Sequence, residues 1–500
     1  MGWKEAAEPV LTRMPTVERP EGHVPFKRKL LWTGGVLVLY FFLTSVPIWG
    51  LGGGQQDLFG QFRAILAGSQ FSVLHLGIGP IVTASIVLQL LGGANLLGLD
   101  TNDPRDQVLY QGLQKLLVVF MIVLTGLPMV LSGYLPADGN LAARLGIPLA
   151  GMEGLIFFQI FVGGVLILFM DEVISKWGVG SGIGLFIVAN VSETLIDGII
   201  SPRDGLLVSW FGLITNPSGV SFDAILGSQG RLVALTTTVL IFSVVVYAES
   251  VRIEIPLSHA RVKGARGRFP VKLIYASVLP MILVRALQAN IQFLGRIIAS
   301  QASAPVAGQE GVTAIELFGV RMPWLGTYFT PASGGGQSPI GGLFYYMAPI
   351  QVPGDWMWWI AEGPRASIEI WQILTRVTVD LTFMIIGGAI FAIFWVETAD
   401  MGPRATAKQI QNSGMQIPGF RQNIGVIEKV MERYIPHVTV IGGALVGLLA
   451  VMANMLGTIG NVSGTGLLLA VSITYKLYEE IAEEQLMEMH PMMRQMFGDE

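Results

Sequence analysis

The sequence contains no cysteine, and charged residues make up only 13% of its 500 residues. The lack of cysteine excludes disulfide bonds and thiolate metal sites. The five histidines are scattered, and neither an H-E-x-x-H pattern nor a G-x-x-x-x-G-K-[ST] phosphate loop occurs. These absences argue against a zinc-protease site and against ATP use by the chain itself. We therefore predict no catalytic residue, no metal site and no cofactor.

Apolar residues are abundant instead, at 52% of the chain, and the mean hydropathy is +0.59. A bilayer core needs a helix of about 20 apolar residues to span it. Ten stretches are long enough, at about 30–49, 74–97, 110–135, 151–171, 180–200, 231–250, 272–294, 371–396, 436–457 and 462–482. Two other runs, 205–215 and 341–361, are too short or broken, and we interpret them as interfacial loops. The pattern predicts an all-α polytopic membrane protein.

Basic residues outside these spans are distributed unevenly between the two sides of the membrane. An even number of spans places both termini on one side. If that side is the cytoplasm, the external segments hold only Arg63, Arg144, Arg203, Arg296, Arg321 and Arg365. Most other basic residues then lie inside, as the positive-inside rule requires. We therefore expect both termini to be cytoplasmic, and the polar first 25 residues show no cleavable signal peptide.

A short amphipathic pattern at residues 55–67 stands directly before the second span. Its apolar residues recur at helical spacing and are Leu58, Phe59, Phe62, Ile65 and Leu66. A helix of this length covers roughly 17 Å, about half of a bilayer core. Such a half-helix is tolerated in a membrane where it is buried in protein or faces water. The pattern favours a channel or a transporter, and the alternative is an external loop lying at the interface.

Two long cytoplasmic loops follow the sixth and eighth spans. The first, at 251–271, opens with alternating apolar and charged residues, the period of a β-strand, and turns through glycines 264 and 267. We therefore predict a hairpin that projects into the cytoplasm. Its excess of basic residues suits either anionic lipid headgroups or a large anionic partner such as ribosomal RNA. A projecting hairpin favours docking to such a partner. The second loop, at 397–435, has mixed charge.

Five long motifs stand out along the chain, and they are LGIGPIVTASIVLQLL, DEVISKWGVGSGIGLFI, YAESVRIEIPLSHARVKG, IFWVETA and TVIGGALVGLLAVMANMLG followed by GTGLLLAVSITYKLYEE. Together, and in this order along residues 26–490, they resemble the SecY family in its archaeal form. SecY is the pore subunit of the protein-conducting channel. The resemblance implies ten spans in two pseudo-symmetric five-helix halves, with a plug half-helix and an hourglass pore. It implies passage of unfolded polypeptides across the membrane and lateral release of transmembrane segments into lipid.

The resemblance also implies a division of the chain. Residues 1–29 form a cytoplasmic tail, 30–200 the first half including the plug at 55–67, and 201–230 an external hinge loop. Residues 231–482 form the second half with cytoplasmic loops 251–271 and 397–435, and 483–500 form a second cytoplasmic tail.

Site residues follow from the resemblance, motif by motif. The plug corresponds to 56–67. The apolar pore ring corresponds to Ile78, Val82, Ile183, Ile187, Ile282 and Leu469, with Leu468 as an alternative to Leu469. The lateral gate, between the second and seventh spans, corresponds to Thr83, Thr125 and Asn290. The ribosome-docking residues correspond to Arg261, Lys263, Arg266, Arg268 and Arg421. From the residues alone, plain core packing and ordinary interhelical hydrogen bonds are the alternatives.

The partners that the resemblance implies are a SecE or gamma-type subunit, a small beta subunit, the ribosome, signal peptides and nascent polypeptides, with the lipid bilayer as surroundings. Higher oligomers of the heterotrimer are compatible with it, and the location is the plasma membrane.

Charged residues inside the spans are few. Arg285 lies near the middle of the seventh span and must face water or a carboxylate at that depth. Arg376 and Asp380 in the eighth span are four residues apart, which predicts that they pair with each other. The alternative function is a secondary transporter with inverted repeats, which needs charges near the midplane to couple ions. Only Glu193, Arg285 and the Arg376–Asp380 pair are candidates for that role.

Overall fold

The structure is a computed structural model. It describes residues 3–22, 24–53, 62–93, 97–98, 104–202, 205–215, 232–259, 266–274, 279–306, 311–317, 319–330, 337–360, 368–399, 401–412, 415–416 and 424–489.

Ten long helices in the described ranges coincide with the ten predicted stretches. They are α2 (Phe26–Ser45), α4 (Gly79–Gly93), α5 (Pro104–Leu131), α7 (Leu149–Trp177), α8 (Gly182–Ile200), α10 (Leu232–Ser250), α11 (Leu279–Gln301), α13 (Ile370–Thr398), α15 (Ile424–Leu456) and α16 (Gly464–Met489). Seven of them are long and apolar enough to cross a membrane on that ground alone. The others are α2, α4 and α16. The chain is a multi-pass membrane protein.

Six shorter helices complete the helical part of the described residues. They are α1 (Trp3–Leu11), α3 (Arg63–Leu66), α6 (Gly139–Leu145), α9 (Leu206–Thr215), α12 (Leu343–Tyr346) and α14 (Pro403–Asn412). The helix α9 corrects the interpretation of 205–215 as a loop, because ten mostly apolar residues are enough for a helix that need not span the membrane. The run at 341–361 is broken, as its prolines predict, into α12 and 3₁₀ turns at Pro353–Asp355 and Trp358–Ile360.

The apolar residues of the helices divide between a packed interior and an outer surface. One large cluster of buried side chains includes residues of α2, α4, α5, α7, α8, α10, α11, α13, α15 and α16. On the outer faces of the spans, large apolar side chains such as Leu124, Phe242 and Ile386 are more than half exposed. In a membrane protein these side chains meet lipid, so their exposure carries no penalty.

Strands occur outside the membrane-spanning helices. The predicted hairpin is confirmed as β1 (Arg252–His259) and β2 (Arg266–Lys272), which pair antiparallel from Arg252 opposite Lys272 to Ser258 opposite Arg266. A short strand of the loop predicted at 397–435, β8 (Met415–Gln416), adds to the other edge of β1.

A second sheet follows α11, in a region that sequence reasoning left unassigned. Its strands are β3 (Ser303–Pro305), β4 (Val312–Leu317), β5 (Val320–Arg321), β6 (Thr327–Phe329) and β7 (Ser338–Gly341). Their order is β3–β4–β6–β7, with β5 folded back on β4. We call the strands β3–β7 the external sheet, after the side of the membrane that the sequence analysis predicts for this region.

Candidate functional site

The described part of the predicted plug is residues 62–67, and Leu58 and Phe59 lie outside the described residues. The helical residues in this part form the single turn α3, which is followed by Ala67 in a left-handed conformation with φ +48°. The side chains of Phe62, Ile65 and Leu66 are buried in the main apolar cluster. The apolar face that the sequence pattern predicts is therefore turned into the protein in this part.

Two side chains from other helices hold this turn in place through its backbone, and a side chain of the turn itself adds a third bond. Tyr40 of α2 donates its hydroxyl hydrogen to the carbonyl of Ala67 over 2.9 Å, and Asn190 of α8 donates to the carbonyl of Arg63 over 2.8 Å. Arg63 itself donates from Nη1 to the carbonyl of His75 over 3.0 Å. Because these bonds use main-chain acceptors, they fix the position of the turn and leave its apolar side chains free to pack.

After the turn, the chain folds back and packs closely against it before α4 begins. The backbone N–H of Ile78 donates to the carbonyl of Leu66 over 2.7 Å. Gly77 has φ +56°, and a Cβ there would lie 2.1 Å from the oxygen of Leu66. Glycine is therefore required at this position, both for the backbone conformation and for the close approach.

The six predicted ring residues lie in the same apolar cluster as the plug residues. Ile78, Val82, Ile187, Ile282 and Leu469 are at most 2% exposed, and Ile183 is half-buried against the cluster. The alternative residue, Leu468, is also 2% exposed, so burial does not distinguish it from Leu469. A continuous apolar contact between four helices and the plug turn is what a dewetted seal needs, since water and ions find no polar partner there.

The three predicted gate residues are brought together. Asn290 of α11 donates from Nδ2 to the hydroxyl Oγ1 of Thr83 in α4 over 2.9 Å. Thr83 in turn donates to the carbonyl of Gly79 over 2.8 Å. Thr125 of α5 lines the same small cavity as Thr83 and Asn290, and Leu66 of the plug turn lines it as well. The polar contact between α4 and α11 thus lies directly beside the plug.

The buried charges are paired differently from the sequence-based expectation. Arg285 is 1% exposed and donates from Nη1 to Oδ1 of Asp380 over 3.2 Å, so it faces a carboxylate. The prediction that Arg376 pairs with Asp380 is wrong. Arg376 reaches toward Asp355, 3.8 Å away, and Asp380 faces α11, where Gln288 also donates to its Oδ1 over 2.9 Å. One helical turn separates the two residues of α13, but each finds its partner on another segment.

These polar side chains also bind part of the run at 341–361, which the sequence analysis interprets as an interfacial loop. We call residues 343–350 the strap. Gln288 donates to the carbonyl of Met347 over 3.1 Å, and Gln292 donates to the carbonyl of Phe344 over 2.9 Å. Arg376 donates to the carbonyls of Ala348 and Pro349. In the opposite sense, the N–H of Ile350 donates to Asp380 over 3.2 Å. The strap is therefore tied to α11 and α13 through its backbone.

Only two of the five predicted docking residues, Arg266 and Arg268, lie in the part of the chain that the structure describes. Arg261, Lys263 and Arg421 lie outside the described residues. Arg266 and Arg268 both belong to β2. The base of the hairpin is fixed to α16, because Arg252 pairs with Glu479 over 3.0 Å and Lys272 pairs with the other oxygen of the same carboxylate.

Comparison with known proteins agrees with this architecture. The profile of the SecY family matches residues 72–478, and that of the plug domain of Sec61p matches residues 38–70. The protein translocase subunit SecY of Haloarcula marismortui is 68% identical over the full length of both chains. The corresponding protein of Archaeoglobus fulgidus is 46% identical over 99% of each chain.

Solved structures give the same result. A protein-conducting channel structure superposes with a TM-score of 0.77 at 36% identity and covers 97% of this chain and 98% of its own. Sec61 in the canine ribosome-channel complex from the endoplasmic reticulum superposes with a TM-score of 0.74, also at 36% identity, over 97% and 98% of the two chains. The chain belongs to the SecY family of protein-conducting channels, which is a family of translocation channels and not of enzymes.

Proposed function

We propose that this channel releases transmembrane segments sideways, through a gate between α4 and α11. The observation that carries the proposal is the hydrogen bond between Thr83 and Asn290, in a cavity that Leu66 of the plug turn and Thr125 also line. A polar pair at an otherwise apolar helix contact is a weak bond that a hydrophobic segment can replace with its own contacts. A segment that enters between α4 and α11 at this depth also meets the plug turn, so opening sideways and displacing the plug are coupled.

The pore in this proposal is the ring of Ile78, Val82, Ile183, Ile187, Ile282 and Leu469, sealed by the plug at rest. Flexible aliphatic side chains block ions by dewetting, yet they move aside for an extended polypeptide and give it no fixed polar site to bind. The burial of these residues together with Phe62, Ile65 and Leu66 supports this assignment.

We further propose that the heterotrimer contains a SecE or gamma-type subunit and a small beta subunit, and that it lies in the plasma membrane with both termini in the cytoplasm. The ribosome docks on the hairpin through Arg261, Lys263, Arg266 and Arg268 and on the second cytoplasmic loop through Arg421. The solved ribosome-channel complex of the similar canine Sec61 supports a ribosomal partner. The pairing of β8 with β1 supports a single platform, because it joins the two cytoplasmic loops.

The gate is tested by locking it. The chain has no cysteine, so a channel carrying Thr83→Cys and Asn290→Cys contains only the two thiols under test. A short bismaleimide cross-linker should block insertion of a hydrophobic test segment in proteoliposomes. Each single variant, treated in the same way, should remain active. Undiminished insertion by the fully cross-linked channel would refute the gate between α4 and α11.

A further inference from the structure

A second polar contact joins α11 to the first half of the chain, near the external end of the spans. Tyr134 lies three residues beyond the end of α5, and its hydroxyl donates to the carbonyl of Arg296 over 2.8 Å. Tyr134 is only 3% exposed, and burial raises the pKa of its hydroxyl, which therefore keeps its proton and remains a donor. Arg296 lies six residues beyond Asn290 on α11, which is about 9 Å further along the helix.

The external sheet continues directly from α11 and packs back on it. The N–H of Glu316 in β4 donates to the carbonyl of Ala302, just after the end of α11, over 2.9 Å. Tyr328 of β6 and Phe344 of the strap are buried in one cluster with Ala299 of α11. These contacts leave no room for a side chain at position 295 of α11, because a Cβ there would lie 2.6 Å from both the Tyr328 hydroxyl and the Phe344 ring.

The sheet, the strap and α11 are thus joined by main-chain hydrogen bonds, by the donors Gln288 and Gln292, and by an apolar cluster. The same unit also reaches Tyr134, because Oε1 of Gln337, the residue before β7, lies 3.4 Å from the Tyr134 hydroxyl. A movement of α11 away from α4 must therefore carry the external sheet with it and break the contacts of Tyr134.

We propose that the external sheet and the strap form an outer jaw of the lateral gate, and that Tyr134 clasps this jaw across the gate when the channel is closed. The inference rests on the proposed gate between α4 and α11. The gate then has two polar contacts, Thr83 with Asn290 deep in the membrane and Tyr134 with Arg296 at its external end. Tyr134 acts as a positioning residue that sets how readily the gate opens outward.

The clasp is tested by measuring gate opening directly. Leu145 of α6 and Val320 of β5 are both exposed, one on each side of the proposed clasp. With Leu145→Cys and Val320→Cys in this cysteine-free chain, two spin labels report the separation across the gate in the reconstituted heterotrimer. Tyr134→Phe removes only the hydroxyl, and the loss of one hydrogen bond should raise the ratio of open to closed channels about threefold to tenfold.

Two further variants make the result specific. Tyr328→Phe also removes a buried tyrosine hydroxyl from the jaw, but this hydroxyl makes no hydrogen bond within the described residues, so the ratio should not change. Thr83→Ala tests the proposed gate itself and should raise the ratio. If Thr83→Ala raises the ratio and Tyr134→Phe leaves it unchanged, the gate stands and the clasp is refuted. If neither variant changes it, the proposed gate fails and the clasp with it.

Discussion

The amide of Asn290 donates a hydrogen bond of 2.9 Å to the hydroxyl of Thr83. The bond joins α11 to α4, although the two residues are 207 positions apart in the sequence. Thr83 has a second partner within its own helix, the carbonyl of Gly79. Removal of the Asn290 amide therefore leaves no unpaired hydroxyl hydrogen behind. The bond between Asn290 and Thr83 therefore stabilises the closed gate separately from the bond between Thr83 and Gly79.

Asn290→Ala should lower the hydrophobicity that a segment needs to leave the channel. The closed gate loses about 0.6–2 kcal/mol of interhelical hydrogen bonding, and the open gate no longer exposes an amide to lipid. Insertion of test segments with graded leucine content should therefore reach its half-point at fewer leucines. Ser243→Ala, which removes a hydroxyl bonded only to the helix carbonyl of Val239 in the described structure, is the matched control. An unchanged half-point in Asn290→Ala would contradict the gating role.

Ile187→Ser should increase ion leak through the resting channel. The substitution places a hydroxyl in the apolar ring, where it offers water a polar partner and widens the constriction. Leak is measured as ion efflux from proteoliposomes without a translocating chain. Ile156→Ser changes an equally buried isoleucine of α7 outside the ring and should leave the leak unchanged. Equal leak in the two variants would assign the effect to loose packing and remove Ile187 from the ring.

Asp380→Asn should destabilise the fold strongly. It leaves the Arg285 guanidinium buried without its carboxylate, and the loss of one partner of a buried pair costs about 3–5 kcal/mol. The double variant Arg285→Met with Asp380→Leu removes both charges and should recover a large part of that loss.

Thermal unfolding of the purified heterotrimer measures these changes. Glu480→Gln breaks the exposed pair between Lys476 and Glu480 and should cost less than about 1 kcal/mol. A double variant as unstable as Asp380→Asn would show that the pair is not an isolated ionic contact.

Charge reversal on the hairpin should weaken ribosome binding in a salt-dependent manner. Arg266→Glu with Arg268→Glu removes two cations from β2, so the slope of log affinity against log salt should flatten by about two. Co-sedimentation of ribosomes with proteoliposomes over a series of KCl concentrations gives this slope. Arg144→Glu, an exposed basic residue of the proposed external side, should leave it unchanged. An unaltered slope in the hairpin variant would favour lipid headgroups as the partner of these residues.

The spans were predictable because bilayer thickness fixes how many apolar residues a crossing helix needs. The hairpin was predictable from the alternation of Ile253 and Ile255 with charged residues, which only a strand places on opposite faces. The three proposed gate residues were predicted only by resemblance to a family, since a threonine or asparagine in a membrane helix has no spacing signal that identifies its distant partner.

The pairing of the buried charges could not be read from spacing. Arg376 and Asp380 are four residues apart, but the carboxylate is taken by Arg285, 95 residues away in sequence, and by the strap. The external sheet was missed because its strands are two to six residues long and lie between turns, so their alternation is too brief to stand out. The role of Tyr134 likewise depends on a carbonyl 162 residues away.

The most direct test of the proposed pore is to determine which polypeptides pass close enough to Ile187 and Ile282 to be cross-linked to them. A photoreactive amino acid at either position is activated in reconstituted membranes while a radiolabelled nascent chain is stalled on the ribosome. We expect cross-links to a nascent chain that carries a signal sequence and none to that of a cytosolic protein. Ribosomes bound to the channel without cross-links at either position would contradict a polypeptide pore lined by these residues.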